Sequence, residues 1–145
     1  MFRSLMSPRN MIVSFILLVA CCILGFAASA VGIDDNPPGI ALAFLSAIAM
    51  VLAFVHPLRT AKQFRYLRYA SYIGFILFGV LHNVFEGIAS KVGEPSLAHG
   101  LLSGASVASF FIAILVCPAG LLVGAVGAVI VSSRERCSKQ GSSGH

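Results

Sequence analysis

This chain is short of charge. Only 10% of its 145 residues are Asp, Glu, Lys or Arg, against 58% hydrophobic residues. A soluble domain carries about 25% charged residues, and a fold of this length could not hide so much apolar surface from water. Cysteine is used sparingly and in uninformative places: Cys21 and Cys22 fall mid-way along the first apolar stretch, Cys117 mid-way along the last, and Cys137 in a basic tail. None stands where a structural disulfide would form, which argues against membrane oxidoreductases built on an exposed C-x-x-C pair. The vicinal Cys21 and Cys22 point about 100° apart on a helix and read as small packing residues. No Ser-His-Asp set, Cys-His pair, phosphate loop or pair of carboxylates stands out, so an enzyme is the least supported class and no cofactor is called for.

What the chain has is long runs free of ionised side chains: Asn10 to Ile33, Asn36 to Leu58, Tyr69 to Phe85, and Pro95 to Ser133. About 20 apolar residues in a helix cross a hydrocarbon core of about 30 Å, so each run supplies one span. The expected fold is all-α and integral to a membrane: a compact bundle of four helices at 11–31, 38–56, 68–88 and about 106–132. A cytoplasmic segment 1–10 precedes the 11–132 membrane domain, and a disordered cytoplasmic tail 133–145 follows it.

The basic residues are sorted to one side of these runs. Arg3 and Arg9 precede the first, Arg59, Lys62, Arg65 and Arg68 stand between the second and third, and Arg134, Arg136 and Lys139 follow the last. Only Lys91 lies in the opposite loops, which hold Asp34, Asp35, Glu86 and Glu94. The positive-inside rule then puts both termini in the cytoplasm, which requires an even number of spans. It also accounts for the net charge of +5 without nucleic acid, since the cations form short clusters beside apolar spans and no continuous stripe.

Residues 1–30 carry a second pattern. Arg3 and Arg9, the apolar run and Ala28-Ser29-Ala30 match a cleavable secretory signal, and Leu18-Val19-Ala20-Cys21 resembles a lipoprotein box. Against both, the run is of span length and stays apolar past Cys21, so retention as a span is the reading adopted.

Several residues invite a functional reading beside a structural one. Asp34 to Gly39 make a turn in which Asp35 or Asn36 caps the second helix and Pro37 or Pro38 suits its first turn; an ion site is the alternative. His56 before Pro57 closes the second span at the headgroups. Arg59, Lys62, Arg65 and Arg68, with interleaved aromatics, form an inner-face lipid contact, either as a surface helix or as an extension of the third span. His82, Asn83 and Glu86 share one face of the third span near its outer end, where a charge reaches water cheaply. With Asp34, Asp35 and His99 they make up the candidate outer-face polar site, whose alternatives are interhelical packing or a metal, haem or quinone site. Pro118 predicts a kink in the fourth span. Beyond it Gly120, Gly124 and Ala128 recur at intervals of four, a pattern that lets helices approach closely, within the chain or between copies.

Taken together, Asp34 to Gly39, His56-Pro57, Leu81-His82-Asn83 through Glu86 and Cys117-Pro118-Ala119-Gly120 resemble small multi-span bacterial membrane proteins with no assigned activity. The resemblance implies a bacterial inner membrane and brings no catalytic residue with it. Other four-span groups fit badly: small multidrug exporters need an acid in the first span, and claudin-like proteins an outer Trp and Cys pair. The expected function is a non-enzymatic accessory or interaction protein whose partners are the lipid bilayer and another membrane protein or a second copy. A small transporter or channel is the other alternative.

Overall fold

The computed structural model describes residues 8–33, 36–92 and 96–142, with side chains up to Arg134. All regular structure among them is helical: α1 Pro8–Val31, α2 Pro37–Val55, α3 Ala61–Ala89, α4 Leu97–Phe111 and α5 Cys117–Ser142, with a π-helical turn Ile112–Val116 joining the last two. Four helices are long and apolar enough to cross a membrane: α1, α2, α3 and the continuous helix Leu97–Arg134.

Local chemistry sets the boundaries. Gly32 adopts φ +89°, a left-handed conformation that ends α1 at no steric cost, and its N–H bonds to the Ala28 carbonyl at 3.0 Å. Gly39 must also be glycine, because a Cβ there would overlap the Gly32 carbonyl. Pro37 opens α2, where no amide hydrogen is required. Asn36 does not cap α2 with its side chain; its amide turns back and donates to the Val31 carbonyl at 2.9 Å. Asp34 and Asp35 lie outside the described residues.

Three expected boundaries move. α3 starts at Ala61 rather than 68, because Thr60 and Gln63 form a reciprocal capping box that satisfies two orphan donors. The basic segment is therefore the first two turns of α3. α4 starts at Leu97, capped by Ser96 through a 3.1 Å bond from the His99 N–H, in a stretch the sequence reads largely as loop. The tail expected to be disordered continues as helix to Ser142; Arg, Glu, Lys and Gln there favour helix, and no glycine intervenes before Gly141.

Pro118 has its effect one turn upstream. Proline cannot donate to the Ile114 carbonyl and its ring crowds that group. The chain widens into the π-turn, where the Cys117 N–H bonds to the Ile112 carbonyl, and the helix passes through the proline without a break.

The helices pack in the order α1, α2, α4/α5, α3; α1 and α2 are antiparallel, as are α3 and α4/α5, so α2 and α5, neighbours in space but not consecutive in the chain, run parallel. This is an open row rather than the compact bundle expected, with α1 packed chiefly on α2. α2 is central, and the apolar window within it is 39% buried, against 6% for α1 and for α3. One face of α2 carries Gly39, Ala43, Ala47, Val51 and Val55, with Ala49 and Ala53 also buried; spacing of four with small side chains permits close approach. Two serines tie α1 to α2: Ser14 donates to the Ala53 carbonyl at 2.8 Å and Ser46 to the Cys21 carbonyl at 2.9 Å. The core of Ala47, Val51, Val55, Leu58, Phe64 and Ala119 joins α2 to α3 and α5. The alternating direction of consecutive helices gathers Arg9, Arg59, Lys62, Arg65, Arg68 and Arg134 at one end of the row.

Candidate functional site

At the far end from those cations, α3 and α4 meet around Ser106. The serine is fully buried, and its hydroxyl lies 2.8 Å from His82 Nδ1 and 2.8 Å from Glu86 Oε2. His82 Nδ1 also lies 3.1 Å from the Ser106 carbonyl oxygen. A carbonyl only accepts, so Nδ1 carries the hydrogen. The single hydroxyl proton goes to the Glu86 carboxylate at 2.8 Å, nearer than the His82 carbonyl oxygen at 3.3 Å, and Oγ accepts from Nδ1. The ordered chain runs His82 Nδ1–H to Ser106 Oγ–H to Glu86 Oε2, and its end on a carboxylate makes the last link charge-assisted.

His82 and Glu86 share a helix face because they are four apart. Asn83 does not join them: its amide folds back onto its own helix and donates to the Gly79 carbonyl at 2.8 Å, since the next residue along a helix points about 100° away. His99 is also elsewhere, with Nδ1 3.0 Å from the Ala89 carbonyl at the C-terminal end of α3, where it closes the turn between α3 and α4. Among the described residues no three His, Cys, Asp or Glu side chains gather in a way that could hold a metal ion. The outer-face set thus resolves into a His82-Ser106-Glu86 chain, a helix-end contact at His99 and a groove-lining Asn83.

Ser106 is the member the sequence reading lacks. Its signal was the spacing of Ser103, Ser106 and Ser109, one face of a helix, within a segment divided between a loop and the start of a span. Replacing Ser106 with alanine leaves the Nδ1 bond to the carbonyl in place and frees only Glu86. The expected loss is therefore about 1 kcal/mol of stability, measured as a lowered unfolding temperature in detergent, and a Ser106→Thr variant should recover part of it.

Beside this chain is a groove of about 370 Å³ whose lining includes Phe75, Ile76, Gly79, Phe110 and Ile114 along with His82 and Asn83. The His82 ring sits 5.2 Å from that of Phe110, tilted by 51°. The π-turn contributes Ala113 and Ile114 to the groove lining; such turns are frequent at functional sites.

At the basic end, Lys62 lies over the Tyr66 ring at 5.9 Å and Arg68 over that of Tyr69 at 5.7 Å, within the range of cation–π attraction. Arg59 and Arg65 are exposed there. His56 turns Nδ1 to the Ala53 carbonyl at 3.2 Å, and its Nε2 is buried without a partner among the described residues.

The two small-residue stripes of the last helix differ. Gly120 and Gly124 face α3: a Cβ on Gly120 would meet Ser71, and one on Gly124 would lie 3.1 Å from the Phe64 carbonyl oxygen and 3.2 Å from the Arg68 nitrogen. Ala128 packs against the core at partial burial. Gly100, Gly104 and Ala108 on α4 repeat the same interval but are exposed, and a Cβ on either glycine would meet nothing within 4 Å among the described residues.

These features describe a helical protein with four helices long and apolar enough to span a membrane, and with a polar chain between two of them. No protein-family model matches the chain, and neither a curated protein nor a solved structure matches it.

Proposed function

We propose that this protein is a multi-pass integral protein of the bacterial inner membrane, with both termini and the 56–60 connection in the cytoplasm. It works there as a non-enzymatic accessory protein that receives a transmembrane helix of a partner on α4. The open stripe Gly100, Gly104, Ala108 carries this reading. Helix association in lipid depends on close backbone approach, because lipid tails are as apolar as the side chains and give no hydrophobic drive. Gly120 and Gly124 are already spent on α3, whereas the α4 stripe is uncovered and flanked by Leu97 and Leu101, 84% and 67% exposed. α2 packs on α5 and on the π-turn, and α4 has α3 as its main neighbour, so the approach to the stripe is open.

Orientation is supported by the cations gathered at one end of the row, where snorkelling Lys and Arg side chains reach the cytoplasmic headgroups. Retention of α1 is supported by its two serine bonds with α2. Purification from native membranes in mild detergent, followed by mass spectrometry, tests the reading. The expected result is a complex containing a second membrane protein or a second copy, with a chain that still includes residues 8–31. A lone monomer would overturn it. Reporter fusions after Lys91 and after His145 test the topology separately: the tail fusion is expected to report the cytoplasm and the Lys91 fusion the opposite side.

A further inference from the structure

We propose that the groove beside His82 binds a membrane-dissolved molecule made of an apolar body and a hydroxyl head, and that the hydroxyl donates to His82 Nε2. Tautomer and shape together carry the argument. The Ser106 carbonyl fixes the imidazole hydrogen on Nδ1, so the neutral ring offers a bare lone pair at Nε2. Nε2 makes no hydrogen bond among the described residues, and His82 forms part of the groove wall. A lone pair in an apolar groove is satisfied only by a donor, which selects a hydroxyl over a ketone, an ether or an ester. The chain behind the ring reinforces this, because the Glu86 carboxylate draws on Ser106 and through it on Nδ1–H. That polarisation raises the electron density at Nε2. Glu86 is thus a positioning residue that acts through Ser106.

The groove suits an apolar body in the same molecule. Its volume of about 370 Å³ falls within the range of small-molecule sites, about 300–1,000 Å³. Phe75, Phe110, Ile76 and Ile114 supply an apolar and aromatic lining, to which Gly79 also belongs. A Cβ on Gly79 would meet nothing within 4 Å, so the glycine leaves space and does not relieve a clash. His82 lies seven residues, about 10 Å, from the end of α3 at Ala89. A head group would therefore sit below the headgroup region while its body lies deeper along Gly79 and Phe75. Quinols, diacylglycerols and long-chain prenols all share this chemistry.

The inference rests on insertion of α3 and α4 in the bilayer, which the reporter fusions test independently. The full chain in phospholipid nanodiscs would be titrated with a decyl phenol bearing a photoreactive diazirine, and with its methyl ether. The expected result is about tenfold tighter labelling by the phenol, the worth of one hydrogen bond of about 1.4 kcal/mol, with label on residues lining the groove. His82→Phe keeps a ring against Phe110 and should lower phenol binding to the level of the ether. Glu86→Gln should weaken phenol binding by a smaller factor and leave the ether unchanged. Gly79→Leu fills the groove without touching the polar chain and should abolish labelling by both probes, while the unfolding temperature shows the fold intact. Competition with an unlabelled quinol, diacylglycerol or prenol identifies the source by which one displaces the probe. Equal binding of phenol and ether, label spread evenly over the lipid-facing surface, insensitivity to Gly79→Leu, or displacement by none of the three would each overturn the proposal.

Discussion

A leucine at position 124 is expected to force α5 off α3 and to cost the protein about 3 kcal/mol or more of its stability. The atoms that a Cβ there would meet are the Phe64 carbonyl oxygen at 3.1 Å, the Arg68 nitrogen at 3.2 Å and the Arg68 Cβ at 3.3 Å. Two of these are backbone. They move only if the whole helix moves, and α3 is held at this end by the Thr60-Gln63 capping box and by the burial of Phe64 against α2 and α5. In the membrane proposed for this chain the loss would have no hydrophobic compensation, because separated helices simply exchange one apolar neighbour for another. Alanine at 124 should be milder, since a shift of a few tenths of an ångström accommodates it. Gly127 is a useful comparison, because its obstacle is the Phe64 ring, a side chain. Unfolding followed by circular dichroism in mild detergent orders the variants, with Gly124→Leu lowest; a melting temperature unchanged by that substitution would contradict the close packing of α5 on α3 at Gly124.

The membrane-scale features were legible because they depend on sums over many residues. Apolar run length fixes four helices, and the sorting of Lys and Arg anticipates that Arg9, Arg59, Lys62, Arg65, Arg68 and Arg134 gather at one end. Features decided by one or two residues are less legible. Thr60 and Gln63 carry the capping-box spacing, and that box decides between the two alternatives for the basic segment: it extends the third span and is not a separate surface helix. Residues 97–105, with Gly100, Gly104 and His99, have weak helix propensity; contact with α3 and the Ser96 cap overrides it. The helical stripe of Gly100, Gly104 and Ala108 exists only because that override makes the stretch a helix.

The polar site shows the same division. The spacing of four between His82 and Glu86 follows from helical periodicity alone, but their meeting with Ser106 depends on the rotation of α4 about its axis. The π-turn adds a residue to one turn and so shifts the helix face by about 100°. That shift is a consequence of Pro118, and no local pattern around Ser106 announces it. Proline thus acts on the site at a distance, as the reason the last helix changes its pitch at Ile112–Val116.

Gly104→Leu is the counterpart of Gly124→Leu, and the two are expected to fail in opposite ways. A Cβ on Gly104 meets nothing within 4 Å among the described residues, and leucine favours helix over glycine by about 0.8 kcal/mol. The isolated protein should therefore melt at the same temperature or slightly higher. Association should suffer, because a branched side chain at the centre of the Gly100, Gly104, Ala108 stripe holds a partner backbone away and removes the contacts that only close approach allows. The expected effect is a loss of complex by at least tenfold, a change of about 1.4 kcal/mol or more. Native mass spectrometry, or disulfide trapping through a cysteine introduced at Leu101, measures it. Gly104→Ala should retain much of the association, since a methyl group still lets the backbones come near. If Gly104→Leu leaves the complex intact while Gly124→Leu dissociates it, the partner sits on the α3–α5 side of the row, and the α4 stripe faces only lipid.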